Sequence, residues 1–117
     1  MLNYSANLDQ MFHALSDPAR REMVDRLIRG PATVSELAEP LDMTLSAVVQ
    51  HLHVLETSGL VRTTKSGRVR TCELQSTALR NIEHWITERR TQWERHLDKL
   101  GQYLAETEPA PESRRKR

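Results

Sequence analysis

The segment from Val34 to Arg70 admits few folds. Just before it, Thr33 stands three residues ahead of Glu36, the spacing at which hydroxyl and carboxylate satisfy two amides at a helix start. A short helix follows, with Leu37, Ala38 and Leu41 facing inward, and Pro40 limits its length. Asp42-Met43 supplies a turn. Thr44 is the favoured N-cap of the next helix, with Ser46 as the competing choice. Leu45, Val48, Leu52 and Leu55 recur at helical spacing and predict its buried stripe. Gly59 stands where a left-handed residue ends a helix. Two runs rich in Val and Thr, 60–64 and 69–74, flank Ser66-Gly67 and predict a β-hairpin.

On a wheel of about 100° per residue, Ser46, Gln50 and His53 lie opposite the buried stripe, with Ala47 and Val49 beside them. The order is helix, turn, helix with a polar outer face, and hairpin, which is a helix-turn-helix with a wing. In that motif the start of the second helix meets base edges. Gln50 suits a two-point contact with adenine. Thr44 and Ser46 suit phosphate or base edges, and Ala47 and Val49 suit a thymine methyl. His53, nearer the middle of the helix, suits the backbone. His51 falls at the edge of the stripe and reads as a packing or hydrogen-bonding residue.

Charge points the same way. The net charge is only +1, but it is unevenly spread. Residues 1–43 carry four Arg and seven acids, whereas residues 44–70 carry Arg62, Lys65, Arg68 and Arg70 against Glu56 alone. A local basic patch is the footprint of a nucleic-acid binder. Lys65, Arg68 and Arg70 on the wing would reach phosphates or the minor groove, contacts that position a protein more than they read sequence.

The remaining segments read as helices. Leu8, Met11, Phe12 and Leu15 form one apolar face. Asp17-Pro18 restarts the chain, with Asp17 as cap and Pro18 at the first helical position. The second helix is expected to bury Met23, Val24, Leu27 and Ile28 and to end at Gly30-Pro31. From Ser76 to Glu106 the only Gly or Pro is Gly101, which predicts a helix of about 30 residues. Its stripe of Leu79, Ile82, Ile86, Trp93, Leu97, Leu100 and Leu104 is long for a chain of 117 residues to cover alone. A dimer interface is favoured, made by Leu8, Met11, Phe12 and Leu15 with Ile86, Trp93, Leu97, Leu100 and Leu104. The alternative is a helix lying across its own domain. Residues 107–117, with Pro109, Pro111 and a run of basic residues, read as a disordered basic tail.

The expected fold class is therefore mainly α (α+β): a winged helix-turn-helix of about five helices and a two-stranded β wing. It is dimeric through its first and last helices, with residues 1–106 as one DNA-binding and dimerisation domain. No run of about 18 apolar residues spans a membrane, and the N-terminus lacks the pattern of a signal peptide, so a cytoplasmic protein is expected. The single cysteine, Cys72, excludes an internal disulfide and reads as a small packing residue on a strand. His13, His51, His53, His84 and His96 form no grouping with a nucleophile, so no catalytic residues are assigned and no enzyme is expected. A winged helix used only for protein contacts is the competing function.

Taken together, Ala14-Leu15-Ser16-Asp17-Pro18-Ala19-Arg20-Arg21, the segment 33–38, the segment 47–55 and Leu55-Glu56-Thr57-Ser58-Gly59-Leu60-Val61 resemble the ArsR family of bacterial winged-helix repressors. The resemblance covers residues 7 to about 106. It implies a homodimer, with the first and last helices at the interface, that binds double-stranded DNA at an operator palindrome and represses transcription. Many relatives carry a small polar residue where this chain has Val49. Family metal sites use a cysteine pair in or beside the helix before the reading helix, or an acid, two histidines with ten residues between them and a further ligand on the last helix. Here residues 35–42 hold no cysteine, Ile82 takes the acid's place, and eleven residues separate His84 from His96. The resemblance thus points to a metal-independent branch, with no metal or other cofactor and an inducer that the sequence leaves unknown.

Overall fold

Each turn marked in the sequence becomes an element boundary. The structure, a computed structural model, describes residues 4–107, with side chains from residue 7 onward. The order is α1 (Tyr4–Leu15), α2 (Pro18–Ile28), β1 (Ala32–Thr33), α3 (Val34–Ala38), α4 (Leu45–Thr57), β2 (Val61–Ser66), β3 (Val69–Leu74) and α5 (Ser76–Thr107). The chain divides into two compact units, one up to Ile82 and one from Glu83. The disordered tail expected from residue 107 lies outside the described residues, except that Thr107 closes α5. Among the described residues no helix is long and apolar enough to cross a membrane.

Helix ends follow local chemistry. Asp17 accepts hydrogen bonds from the Ala19 and Arg20 amides at 2.8 and 3.2 Å, and Pro18 occupies the first turn of α2. Thr44, rather than Ser46, caps α4 by accepting from the Ala47 amide at 3.1 Å. At the other end Gly59 adopts φ 86°, with its amide on the Glu56 carbonyl and that of Leu60 on the Leu55 carbonyl. This is a Schellman motif, and its two leucines, Leu55 and Leu60, are completely buried.

The capping box at α3 is reciprocal: the Glu36 amide donates to Thr33 Oγ1 at 3.1 Å and the Thr33 amide donates to Glu36 Oε1 at 2.8 Å. The Thr33 amide bond holds the Glu36 carboxyl below its ordinary value; partial desolvation opposes this, while the Thr33 hydroxyl and Arg26 assist. A carboxyl depressed on folding stabilises the fold above its unfolded value and loses that contribution as pH falls through the folded value. Glu36→Gln keeps an acceptor but does not titrate. The wild type is therefore expected to melt higher than Glu36→Gln at neutral pH, with the gap closing as pH drops below the ordinary value of 4.5. A gap in melting temperature that stays constant with pH would contradict this.

The core of the first unit is built from Met23, Leu37, Val48, Leu52, Leu55, Leu60 and Cys72. Arg20 is also buried, at 8% exposure. Its guanidinium donates to the carbonyls of Ala14 (2.7 Å) and His13 (3.2 Å) and lies 3.0 Å from His51 Nδ1. Arginine has no acceptor, so Nδ1 accepts and the ring proton sits on Nε2. One side chain thus ties the end of α1 to α4, with its charge at the negative pole of α1.

Several expectations need correction. Leu45 was assigned to the buried stripe but is 58% exposed. It is the first residue of α4 and lies at the edge of the arc defined by Val48, Leu52 and Leu55. Ile28, at the end of α2, is exposed at 63%. Leu8 and Met11, expected at a dimer interface, are closed inside the first unit's own core together with Ala14. The two-stranded wing is as expected, and the sheet gains a third strand because β1 pairs with β3 on the side away from β2. β1 is two residues long, too short for a period-2 pattern to show.

Candidate nucleic-acid interface

α4 has two sharply different faces. Val48, Leu52 and Leu55 are at most 1% exposed, and they anchor the helix from behind. Thr44, Ser46, Val49, Gln50 and His53 are exposed, and Ala47 is half-buried. Thr44 accepts the cap bond with one lone pair of its hydroxyl oxygen, which leaves its hydroxyl proton available to a phosphate. His53 lines a hollow with Gln10 and His13 of α1, placing it at the far end of this face from Thr44. His51 faces Arg20 and does not belong to the outward set.

The wing is the hairpin β2–β3. Ser66 pairs with Val69, so the loop is Gly67-Arg68, one residue later than the sequence suggested. Gly67 has φ 62°, the positive angle that a glycine-first two-residue loop requires. Arg68 is thereby placed at the tip. Thr63 donates to Glu56 Oε2 at 2.6 Å, which fastens the wing to the end of α4 and engages the single acid of segment 44–70.

Two cross-strand pairs distribute the charge. Arg62 stands opposite Glu73 and is paired with it at 3.2 Å, so its charge is neutralised locally. Lys65 stands directly opposite Arg70, and both are exposed. Like charges in opposite positions of an antiparallel pair destabilise the hairpin. An anion bound beside them would relieve that repulsion. The wing therefore carries its positive charge on Lys65, Arg68 and Arg70, as the sequence suggested. Arg68 and Arg70 also border a cleft of about 320 Å³ that Ser35, Leu45 and Val69 line. Sequence spacing placed Leu45 in the buried stripe and not on this surface. Its place immediately after the N-cap was the available signal, since that position is the least covered of any helix.

Cys72 lies on β3 between Ala32 of β1 and Thr63 of β2 and is fully buried. Burial pushes its thiol up and Glu56 adds to this, while Arg70 opposes it. A thiol so placed is unreactive. This favours packing over a redox role.

In the second unit, α5 exposes Ile86, Trp93, Leu97, Leu100 and Leu104, each between 43% and 60% accessible. Their spacing of seven, four, three and four residues places them along one face of the helix. His84 pairs with Glu88 at 3.2 Å and His96 stacks on Trp93 with ring centres 6.3 Å apart. In the first unit Phe12 is exposed at 40% and Leu15 is half-buried.

Known proteins share this arrangement. A helix-turn-helix domain family matches residues 15–64. A helix-turn-helix transcriptional regulator of Mycobacterium tuberculosis, Rv2034, is 44% identical over 71 residues, covering 61% of this chain and 66% of its own, just under two thirds of its length. The transcriptional repressor SdpR of Bacillus subtilis is 27% identical over 79 residues, covering 68% and 88%. The crystal structure of the ArsR family transcriptional regulator RHA00566 superposes with a TM-score of 0.75 at 49% identity, over 80% of this chain and 97% of that one.

Proposed function

Because the chain belongs to the ArsR family of winged helix-turn-helix transcriptional regulators, which bind DNA and are not enzymes, we propose that it is a homodimeric repressor of a palindromic operator. Its reading surface in this proposal is Thr44, Ser46, Ala47, Val49 and Gln50, with His53 on the backbone and Lys65, Arg68 and Arg70 on phosphates. The observation that carries it is the two-faced α4 beside a wing whose Lys65 and Arg70 are set against each other. The repressing direction is supported by the likeness to SdpR. The second copy is assigned to the exposed seam of α5, since a two-fold dimer presents two reading helices to two half-sites. Phe12 is exposed and Leu15 half-buried, so both stay in the interface proposal; Leu8 and Met11 leave it. Ile82, in the place of the family's acidic ligand, is 8% exposed and apolar, which supports a metal-independent branch. Such a repressor works in the cytoplasm, where its DNA is.

The experiment is binding to genomic fragments selected by the full chain, measured against salt. Affinity is expected to fall steeply, since each neutralised phosphate releases counterions. Gln50→Ala is expected to cost about 1–3 kcal/mol of discrimination at one base pair and to leave the salt slope unchanged. Arg68→Ala is expected to weaken all sequences alike and to reduce the slope by about 1. Fragments bound without sequence preference, or without salt dependence, would refute the operator reading.

A further inference from the structure

Three exposed apolar side chains gather on the surface assigned to DNA: Leu45 at 58%, Val49 at 41% and Val69 at 50%. Leu45 and Val49 stand one turn apart on α4, which puts them on one edge of the reading face. Leu45 and Val69 line the same cleft, and Arg68 and Arg70 border it. A surface that met only phosphates and sugars would gain nothing from a leucine there. In the major groove the apolar group on a base edge is the C5-methyl of thymine. The first residues of a reading helix are the ones aimed at base edges, and Leu45 is the first residue of α4.

We propose that Leu45, together with Val49, is a specificity-determining residue that selects thymine by packing on its methyl group. The operator half-site then carries thymines where these two side chains reach. Arg68 and Arg70 contribute by drawing the phosphate strand alongside the cleft, which closes water away from Leu45 and makes the apolar contact worth forming. Because Leu45 stays exposed in the free protein, its role is not spent on the chain's own core. The inference rests on the operator reading above and adds Leu45 to the side chains that read thymine.

The test uses the full chain and a selected genomic fragment. Each thymine of the bound site is replaced in turn by deoxyuridine, which removes the methyl and nothing else. Wild-type protein is expected to lose roughly fourfold in affinity for each contacted methyl, at one or two thymines per half-site. In Leu45→Ala one of those penalties is expected to vanish while the other remains, and Val49→Ala should show the converse. Specific binding that tolerates deoxyuridine at every position overturns the thymine inference and leaves the operator reading standing. So does a Leu45→Ala protein in which every deoxyuridine penalty of the wild type persists undiminished. Absence of any specific complex overturns both. The wild-type series needs no variant, and a thermal melt of Leu45→Ala confirms that the protein compared is folded.

Discussion

Arg20→Ala is expected to lower the free energy of unfolding by about 3 kcal/mol, a large share of the stability of a small domain. The substitution removes the guanidinium of a residue that is 8% exposed and strands the Ala14 carbonyl and the Nδ1 of His51, while the His13 carbonyl keeps the amide and hydroxyl of Ser16. Each stranded acceptor costs its desolvation without a partner, about 1–3 kcal/mol, offset in part by water entering the space. Arg20→Lys is expected to recover only part of the loss, because one ammonium cannot serve three acceptors set around a planar fork. Urea unfolding measures both variants. An Arg20→Ala protein with the wild-type midpoint would show that the three bonds contribute nothing net. The loss should also appear in DNA binding, because His51 lies between Gln50 and His53, and the bond from Arg20 sets the seating of α4.

Leu97→Glu is expected to have the second large effect, on assembly and not on the fold. Leu97 is 43% exposed at the middle of the α5 seam. A carboxylate there costs little while the helix stands in water. In the proposed dimer two copies of it approach an apolar contact, where an unpaired buried charge is strongly unfavourable. The variant should sediment as a monomer at concentrations where the wild type is a dimer, with an unchanged helical circular dichroism signal. Affinity for a two-half-site operator should then drop by about 10²–10⁴, the gain that linking two binding heads confers. Affinity for an isolated half-site should hardly change. A variant that remains dimeric would remove α5 from the interface.

The comparison of sequence and structure separates two kinds of signal. Local rules placed the caps at Asp17, Thr33 and Thr44 and the stop at Gly59, because each is decided by groups within a few residues. They also placed the long helix, since residues 76–100 contain nothing to break it. Tertiary facts were not legible. The burial of Arg20 depends on carbonyls six and seven residues back and on a histidine 31 residues ahead. The strand β1 exists because β3 lies beside it, and two residues carry no pattern of their own. Leu8 and Met11 looked available for a partner, but their own unit covers them. For the proposed reading surface, the polar members Ser46 and Gln50 were visible on a wheel. The exposure of Leu45 was hidden, because a leucine at helical spacing ordinarily faces the core.

The burial of Cys72 also bears on time. Its side chain is fully buried in the first unit's core, so a reagent or oxidant reaches it only when that core opens. Modification of that thiol then proceeds at a pace set by how often the core opens, once the reagent is fast enough to capture each opening. The residue would serve as a clock for those openings, and a molecule that keeps the core closed for longer would slow that clock without touching the sulfur.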